Sequence, residues 1–402
     1  MIFNYEHSVT YPKGFLASGI IAGIKQNGLL DLGMLVSETV AVAAAVFTKN
    51  KFPAAPVLLC KRNLLDSKSK AKAIIVNSGC ANALTGKTGM KSAEKTVAKV
   101  AERFRIPKDE TLVASTGVIG RQLPMENILE AIPHLVGSLR SDGDSAFSRS
   151  IMTTDKFPKQ VSTEIAISKG KKFRIGATAK GAGMIHPNMA TMLCFAATDA
   201  KIDKKKLQSA LSEASEKSFN TVTVDGDTST NDSVFILANG ASGTAISSQS
   251  DYKIFVNSLT MVLRELAIMI VRDGEGATRF VKLNIQTAST YNDAVKVGRA
   301  VGVSPLVKTA IFGGDPNWGR VISAVGNSDV KFDPAKVELN IGNICVFKRN
   351  EPQKVDLLKI SDLFSKKEIE MTIKLNAGRE SAQVYTCDLS YDYVKINGEY
   401  TT

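Results

Sequence analysis

The sequence predicts a layered α/β fold, and three observations lead there. Short apolar runs bounded by turn residues alternate with segments of helical period. Glycine and small polar residues gather in six islands, several of them directly after a strand-like run. The 402 residues, 44% hydrophobic and 22% charged, are enough for a sizeable core under a polar surface. No low-complexity tract and no repeat of about 20 to 50 residues stands out, which excludes disorder, coiled coil and solenoid.

In chain order, VAVAAAVFT near residue 40, AAPVLLC near 55, AKAIIVNSG near 72 and TMLCFAATDA from 191 are expected to be largely buried strands. After Asp203, a good N-cap, Leu207, Ala210, Leu211 and Ala214 follow at i, i+3, i+4 and i+7 and predict a helix. SVFILA, behind an Asx-rich turn, reads as another strand. A long apolar helix around Ile254 to Val271 should stop near Asp273, where Gly274 and Gly276 supply stop signals. Arg264 and Glu265 interrupt it and argue against a membrane span. No strong linker divides the chain.

The formal charge is 51 − 39 = +12, which suits an acidic partner such as nucleic acid, a membrane surface or a carboxylate substrate. The clusters Lys68, Lys70, Lys72, then Lys169, Lys171, Lys172, Arg174, then Lys204, Lys205, Lys206 have little aromatic interleaving, and the chain has one Trp. A solvated basic surface, and no nucleic-acid or membrane partner, is the expectation. Cys60, Cys80, Cys194, Cys345 and Cys387 are odd in number and widely spaced, against a disulfide framework and a zinc site. MIFNYEHSVTYPKGF lacks the basic and apolar regions of a secretory signal, so a cytoplasmic location is expected.

The islands are NSGCANALTG (77–86), ASTGVIG (114–120), AKGAGMIHPNMATML (179–193), TVDGDTSTNDS (223–233), RDGEGAT (272–278) and FGGDPNWGR (312–320). Loops of this composition at strand ends can converge on a small-molecule site. Gly86, Lys87 and Thr88 evoke a phosphate loop, but six residues separate Gly79 from Gly86 where that loop has about four. Asp225, Asp227 and Ser229 start like a calcium loop, yet Thr230 and Ile236 occupy the positions that need Gly and Glu, so no metal is expected. His7, His134 and His186 are the only histidines, and no Gly-x-Ser-x-Gly elbow accompanies them. His186 therefore reads as a loop residue making packing or backbone hydrogen bonds. Thr191 follows the small Ala190 and opens a strand-like run. Cleavage between them would expose a hydroxyl beside its own α-amine, whose ordinary pKa of about 8 suits it to act as the base.

Taken in order with the C-terminal YVKINGEYTT, these motifs resemble the ornithine acetyltransferase family, also called glutamate N-acetyltransferases, from about residue 14 to the last residue. AKGAGMIHPNMATML resembles that family's autocleavage motif. The resemblance implies a layered α/β sandwich with an N-terminal-nucleophile-type threonine. It implies self-cleavage at Ala190-Thr191 into an α chain, 1–190, and a β chain, 191–402, assembled as an α2β2 heterotetramer. The implied reaction is ping-pong transfer of acetyl from N2-acetylornithine to L-glutamate through an ester on Thr191, without a cofactor. Thr116 and Gly117 would stabilise the oxyanion. Substrate contacts would fall to Lys180, Thr191, Glu275, Asn397, Thr402 and one of Thr153 and Thr154.

Cys80, Leu84 and Lys156 depart from the family's pattern, and a lysine beside the substrate threonines could change how carboxylates are held. The alternative within the family is a bifunctional enzyme that also takes acetyl from acetyl-CoA. Outside it stands a basic binding or scaffold protein, motivated by the charge alone.

Overall fold

The computed structural model describes residues 2–167, 170–186 and 192–399. The first of its two sheets is formed by β1 (Phe15–Ile20), β2 (Leu32–Phe47), β3 (Lys70–Cys80), β4 (Thr111–Val118), β5 (Lys159–Ala166), β6 (Lys172–Lys180), β7 (Leu193–Thr198) and β8 (Ser233–Ala238). Their order is β4-β3-β2-β8-β7-β6-β5, with β1 beside β2. The pairs β3/β4 and β7/β8 are parallel and the others antiparallel. β7 and β8 are buried at every position, as continuous apolar runs in the middle of a two-faced sheet should be.

Strands on either side of residue 190 interleave. β7 and β8 lie between β2 and β6, so 1–190 and 191–402 share one sheet. The pairing of β2 with β3 shifts register between Val36 and Ala41. The ends of β3 and β4 are fastened to the segment before β8: Asn231 Nδ2 donates to the carbonyls of Ala81 (2.6 Å) and Ser115 (2.8 Å).

Helices α1 (Ala55–Asp66), α2 (Gly86–Phe104), α3 (Met125–Gly137) and α4 (Asp144–Ser150) cover one face of this sheet. On the other face lie α5 (Lys204–Glu216) and α6 (Gln249–Arg272). Alternating residues of β2 serve the two cores: Ala44 and Val46 face α5 and α6, and Ala43 and Ala45 face the opposite way. The second sheet, β12-β11-β10-β13-β9-β14, comprises β9 (Phe280–Ala288), β10 (Glu338–Ile341), β11 (Ile344–Lys348), β12 (Glu351–Pro352), β13 (Glu368–Lys374) and β14 (Glu380–Cys387). It packs with α7 (Tyr291–Val303), α8 (Pro305–Gly313), α9 (Trp318–Gly326) and α10 (Leu357–Ser365) around a third core. A last helix, α11 (Tyr391–Glu399), has no buried residue.

Most expected elements form where the pattern places them. Asp203 caps α5 by accepting from the backbone of Lys205 and Lys206, and Leu207, Ala210, Leu211 and Ala214 are fully buried. AAPVLLC is the exception, being the start of α1 and no strand. Pro56 sits in the first turn, where its missing N–H costs nothing. Once KRNLLD is read on from it, Pro56, Leu59, Cys60 and Asn63 fall on one buried helical face.

α6 is long and apolar enough to cross a membrane by length and composition, despite Arg264 and Glu265. In this fold it packs between the sheets, against β5 and β6 on one side and β14 on the other. Phe255, Leu259, Val262, Leu263, Leu266 and Ile270 are fully buried. Leu263→Ala is therefore expected to destabilise the protein by about 2 to 5 kcal/mol, read as a lower denaturant midpoint, because the rigid sheets cannot close the cavity.

Candidate active site

The connection between β6 and β7 leaves the sheet where the 77–86, 114–120 and 223–233 islands converge, and a cavity of about 100 Å³ opens there. Its walls carry Thr116, Gly117, Thr153, Thr154, Lys180, Glu275 and Asn397, all of the expected site residues that are described. Ala190, Thr191 and Thr402 lie outside the described residues.

Thr116 and Gly117 end β4 where it runs parallel to β3, and the pairing is irregular at Gly79 and Cys80. Gly117 has φ +126°, and a Cβ there would lie 2.4 Å from the carbonyl carbon of Gly79. Only glycine fits both constraints, and Gly117 lines the cavity beside Thr116.

Lys180 ends β6, with its side chain buried. Nζ donates to Thr153 Oγ1 (2.6 Å) and Thr116 Oγ1 (3.3 Å) and lies 4.0 Å from Asp155. Burial pulls its pKa down, against the attraction of Asp155. A poorly solvated ammonium with a remaining donor suits a substrate carboxylate. Thr153 and Thr154 both line the cavity, but the bond to Lys180 belongs to Thr153.

Glu275 follows α6 and is held by its backbone N–H to the Ala182 carbonyl (2.9 Å). Its carboxylate accepts from Asn397 Nδ2 of α11 (2.9 Å). A Cβ at Gly183 would sit 2.2 Å from Glu275 Oε2, so glycine there lets this carboxylate keep its position. The cavity thus has a cationic side at Lys180 and an anionic side at Glu275.

Residues that sequence reasoning did not assign hold this arrangement. Lys159 Nζ is fully buried and pairs with Asp155 Oδ1 and Asp273 Oδ2, each at 2.6 Å. Asp155 also accepts from the backbone of Thr153 (2.9 Å) and Gly181 (2.7 Å), and Asp273 from that of Lys156 (3.0 Å). Burial alone would raise the pKa of Asp155, but Lys159 and Lys180 outweigh it and hold the carboxyl well below its ordinary range. Lys25 donates to the carbonyls of Leu30 (2.9 Å) and Met152 (2.7 Å), and burial pulls its pKa down to about 8. Asn231, Asp232, Ser229 and Met184 also line the cavity. Asp155 and Asp273 stand beside MTT and GEG in the sequence, but nothing marks Lys159, a strand lysine, as their partner.

His186 is absent from the cavity wall; its Nδ1 pairs with Thr223 Oγ1 (3.0 Å). Burial, then Arg299, pushes its pKa down to about 4, so it is a neutral, hydrogen-bonded loop residue. Lys156 is exposed and uses only its backbone at the site, so its charge does not face the cavity. The Cys80 thiol is buried and donates to the Arg121 carbonyl, and Leu84 is exposed.

The sequence model of the ArgJ family matches residues 16–402, nearly the whole chain. The chain belongs to the ArgJ family. Membership makes it an acyltransferase of arginine biosynthesis. Among similar relatives, the arginine biosynthesis bifunctional protein ArgJ of Dehalococcoides mccartyi is 46% identical, covering 99% of this chain and 98% of its own length. The glutamate N-acetyltransferase of Methanocaldococcus jannaschii is also 46% identical, with 99% of each chain covered. A solved structure of the Mycobacterium tuberculosis ornithine acetyltransferase with ornithine is 37% identical, covering 47% of this chain and 99% of that one, with a TM-score of 0.43.

Lys159→Met, which leaves two buried carboxylates facing each other, is expected to cost about 3 to 5 kcal/mol at neutral pH. The folded pKa of Asp155 lies below its unfolded value. Its contribution is therefore complete above the ordinary carboxylate pKa of about 4 and is lost as pH falls through the folded value. Denaturant midpoints of wild type and variant should converge as pH falls below about 4.

Proposed function

We propose that this ArgJ-family chain cuts itself between Ala190 and Thr191 and then transfers acetyl from N2-acetylornithine to L-glutamate through an ester on Thr191. The observation that carries this reading is the cavity at the β6–β7 connection, where Thr116, Gly117, Lys180, Glu275 and Asn397 share one wall.

In maturation, the Thr191 hydroxyl oxygen adds to the Ala190 carbonyl carbon. The C–N bond breaks as the nitrogen takes a proton, leaving an ester. Water cleaves that ester, giving a carboxylate on Ala190 and a free α-amine on Thr191. In transfer, this amine accepts the hydroxyl proton as the oxygen attacks the acetyl carbonyl of the donor. The oxyanion is stabilised by the Thr116–Gly117 pair. Collapse expels ornithine, which takes the proton, and the glutamate amine then attacks the ester and regenerates Thr191. Lys180 pairs with the substrate α-carboxylate, while Glu275, oriented by Asn397, receives the ornithine ammonium. Thr402 completes the substrate contacts from the chain end. The product chains form an α2β2 assembly in the cytoplasm, and neither a metal nor a cofactor enters the cycle.

Relatives of equal identity are described as bifunctional and as glutamate N-acetyltransferases. Acetyl-CoA as a second donor is the alternative reading. Release of CoA from acetyl-CoA in the presence of glutamate marks that activity, and its absence marks the single cycle.

Intact mass and N-terminal sequencing of the purified protein test the central reading. Two chains, the second starting Thr-Met-Leu-Cys, are expected, and Thr191→Ala should remain one species of 43.1 kDa without transferase activity. Normal cutting in that variant would refute it. Thr116→Ala is expected to lower kcat about 10²-fold or more, by loss of oxyanion stabilisation, with a smaller change in KM for acetylornithine.

A further inference from the structure

The proposed cut lies in the connection between His186 and Met192, and the 223–233 island holds both of its described ends. Upstream, one carboxylate takes two successive backbone donors: Met184 N–H to Asp225 Oδ2 (2.6 Å) and Ile185 N–H to Oδ1 (2.8 Å). The Val224 N–H donates to the Ile185 carbonyl (2.7 Å), and Thr228 Oγ1 to that of His186 (2.8 Å). Downstream, the Ser233 N–H donates to the Met192 carbonyl (3.0 Å), and Leu193 pairs with Ser233.

Met184 adopts φ +55°, a left-handed conformation that costs a non-glycine residue about 1 kcal/mol or more and persists only where its surroundings enforce it. Charge-assisted bonds from Asp225 to its own and the next amide supply that enforcement. Asp225 is not in the cavity wall, and the transfer cycle gives it no task. Self-cleavage differs from transfer in needing one particular peptide bond held against its own side chain, which depends on fixing the flanking backbone.

We propose that Asp225 is a positioning residue for self-cleavage: its carboxylate locks Met184 and Ile185 onto the island that also anchors Met192, confining the connection at both ends before the covalent step. This rests on the reading of Ala190-Thr191 as the cut.

The test follows freshly translated full-length chain by intact mass, alongside its thermal midpoint. Asp225→Ala should slow conversion of the 43.1 kDa chain about 10²-fold, with the folded state retained. Asp225→Asn, which offers one acceptor where two amides need one each, should also be slow. Thr228→Val, which frees the His186 carbonyl, should cut about tenfold more slowly and serves if Asp225→Ala does not fold. The pH profile separates positioning from general destabilisation. Protonation of Asp225 releases the amides, so the wild-type cutting rate falls toward acid, and this fall should vanish in Asp225→Asn. Burial raises the pKa of Asp225. The groups facing it are Asp227 on the same loop, Cys387 of β14 and Tyr393 of α11; burial also raises the latter two, leaving them uncharged on that limb. A folded Asp225→Ala or Thr228→Val variant that cuts at the wild-type rate overturns the proposal. If the wild type itself never cuts, the reading of Thr191 fails first and this inference with it.

Discussion

The salt-bridged triad of Asp155, Lys159 and Asp273 is the constraint on which the site depends. It ties the turn carrying Thr153 and Thr154 to the start of β5, the end of α6 and the backbone of Gly181. Three charges in a dry interior are costly to desolvate, so such a triad adds little stability over a well-packed apolar alternative. What it does supply is register. The carboxylates accept directed backbone N–H bonds, so the 153–156 turn, the exit of β6 and the loop leading to Glu275 meet in one arrangement.

Around that anchor the site is assembled by close approach of main chain. Asn231 fastens the parallel β3/β4 pair to the segment before β8 by donating to Ala81 and Ser115. Gly117 and Gly183 sit where any Cβ would strike backbone or a site carboxylate. These glycines permit approach where other residues supply chemistry, which is why the islands mix glycine with Thr, Asn, Asp and Lys.

Electrostatically, the cavity opposes Lys180 to Glu275, a pattern suited to substrates bearing both a carboxylate and a cation. The +12 formal charge has no counterpart there. Its clusters Lys68, Lys70 and Lys72, and Lys204 to Lys206, stand outside the wall that Lys180 shares with Glu275, consistent with a solvated basic surface.

Much was legible in the sequence because it depends on local physics. Asp203 caps α5 through bonds two and three residues away, the buried strands announce themselves as apolar runs, and α6 ends at its glycines. The site islands were also visible, since turns that permit close approach need particular residues at short spacing. AAPVLLC reads as a strand, although it opens α1, because a short apolar run carries no period until the residues behind it are included. Tertiary structure alone decided which distant pieces touch. It placed Lys159 between Asp155 and Asp273, 114 residues apart from the second of them, set Asn397 on Glu275 although α11 buries nothing, and turned His186 away from the cavity. Those outcomes depend on the order of strands across the sheet and on the desolvation of charges by remote segments, neither of which is encoded in the spacing of neighbouring residues.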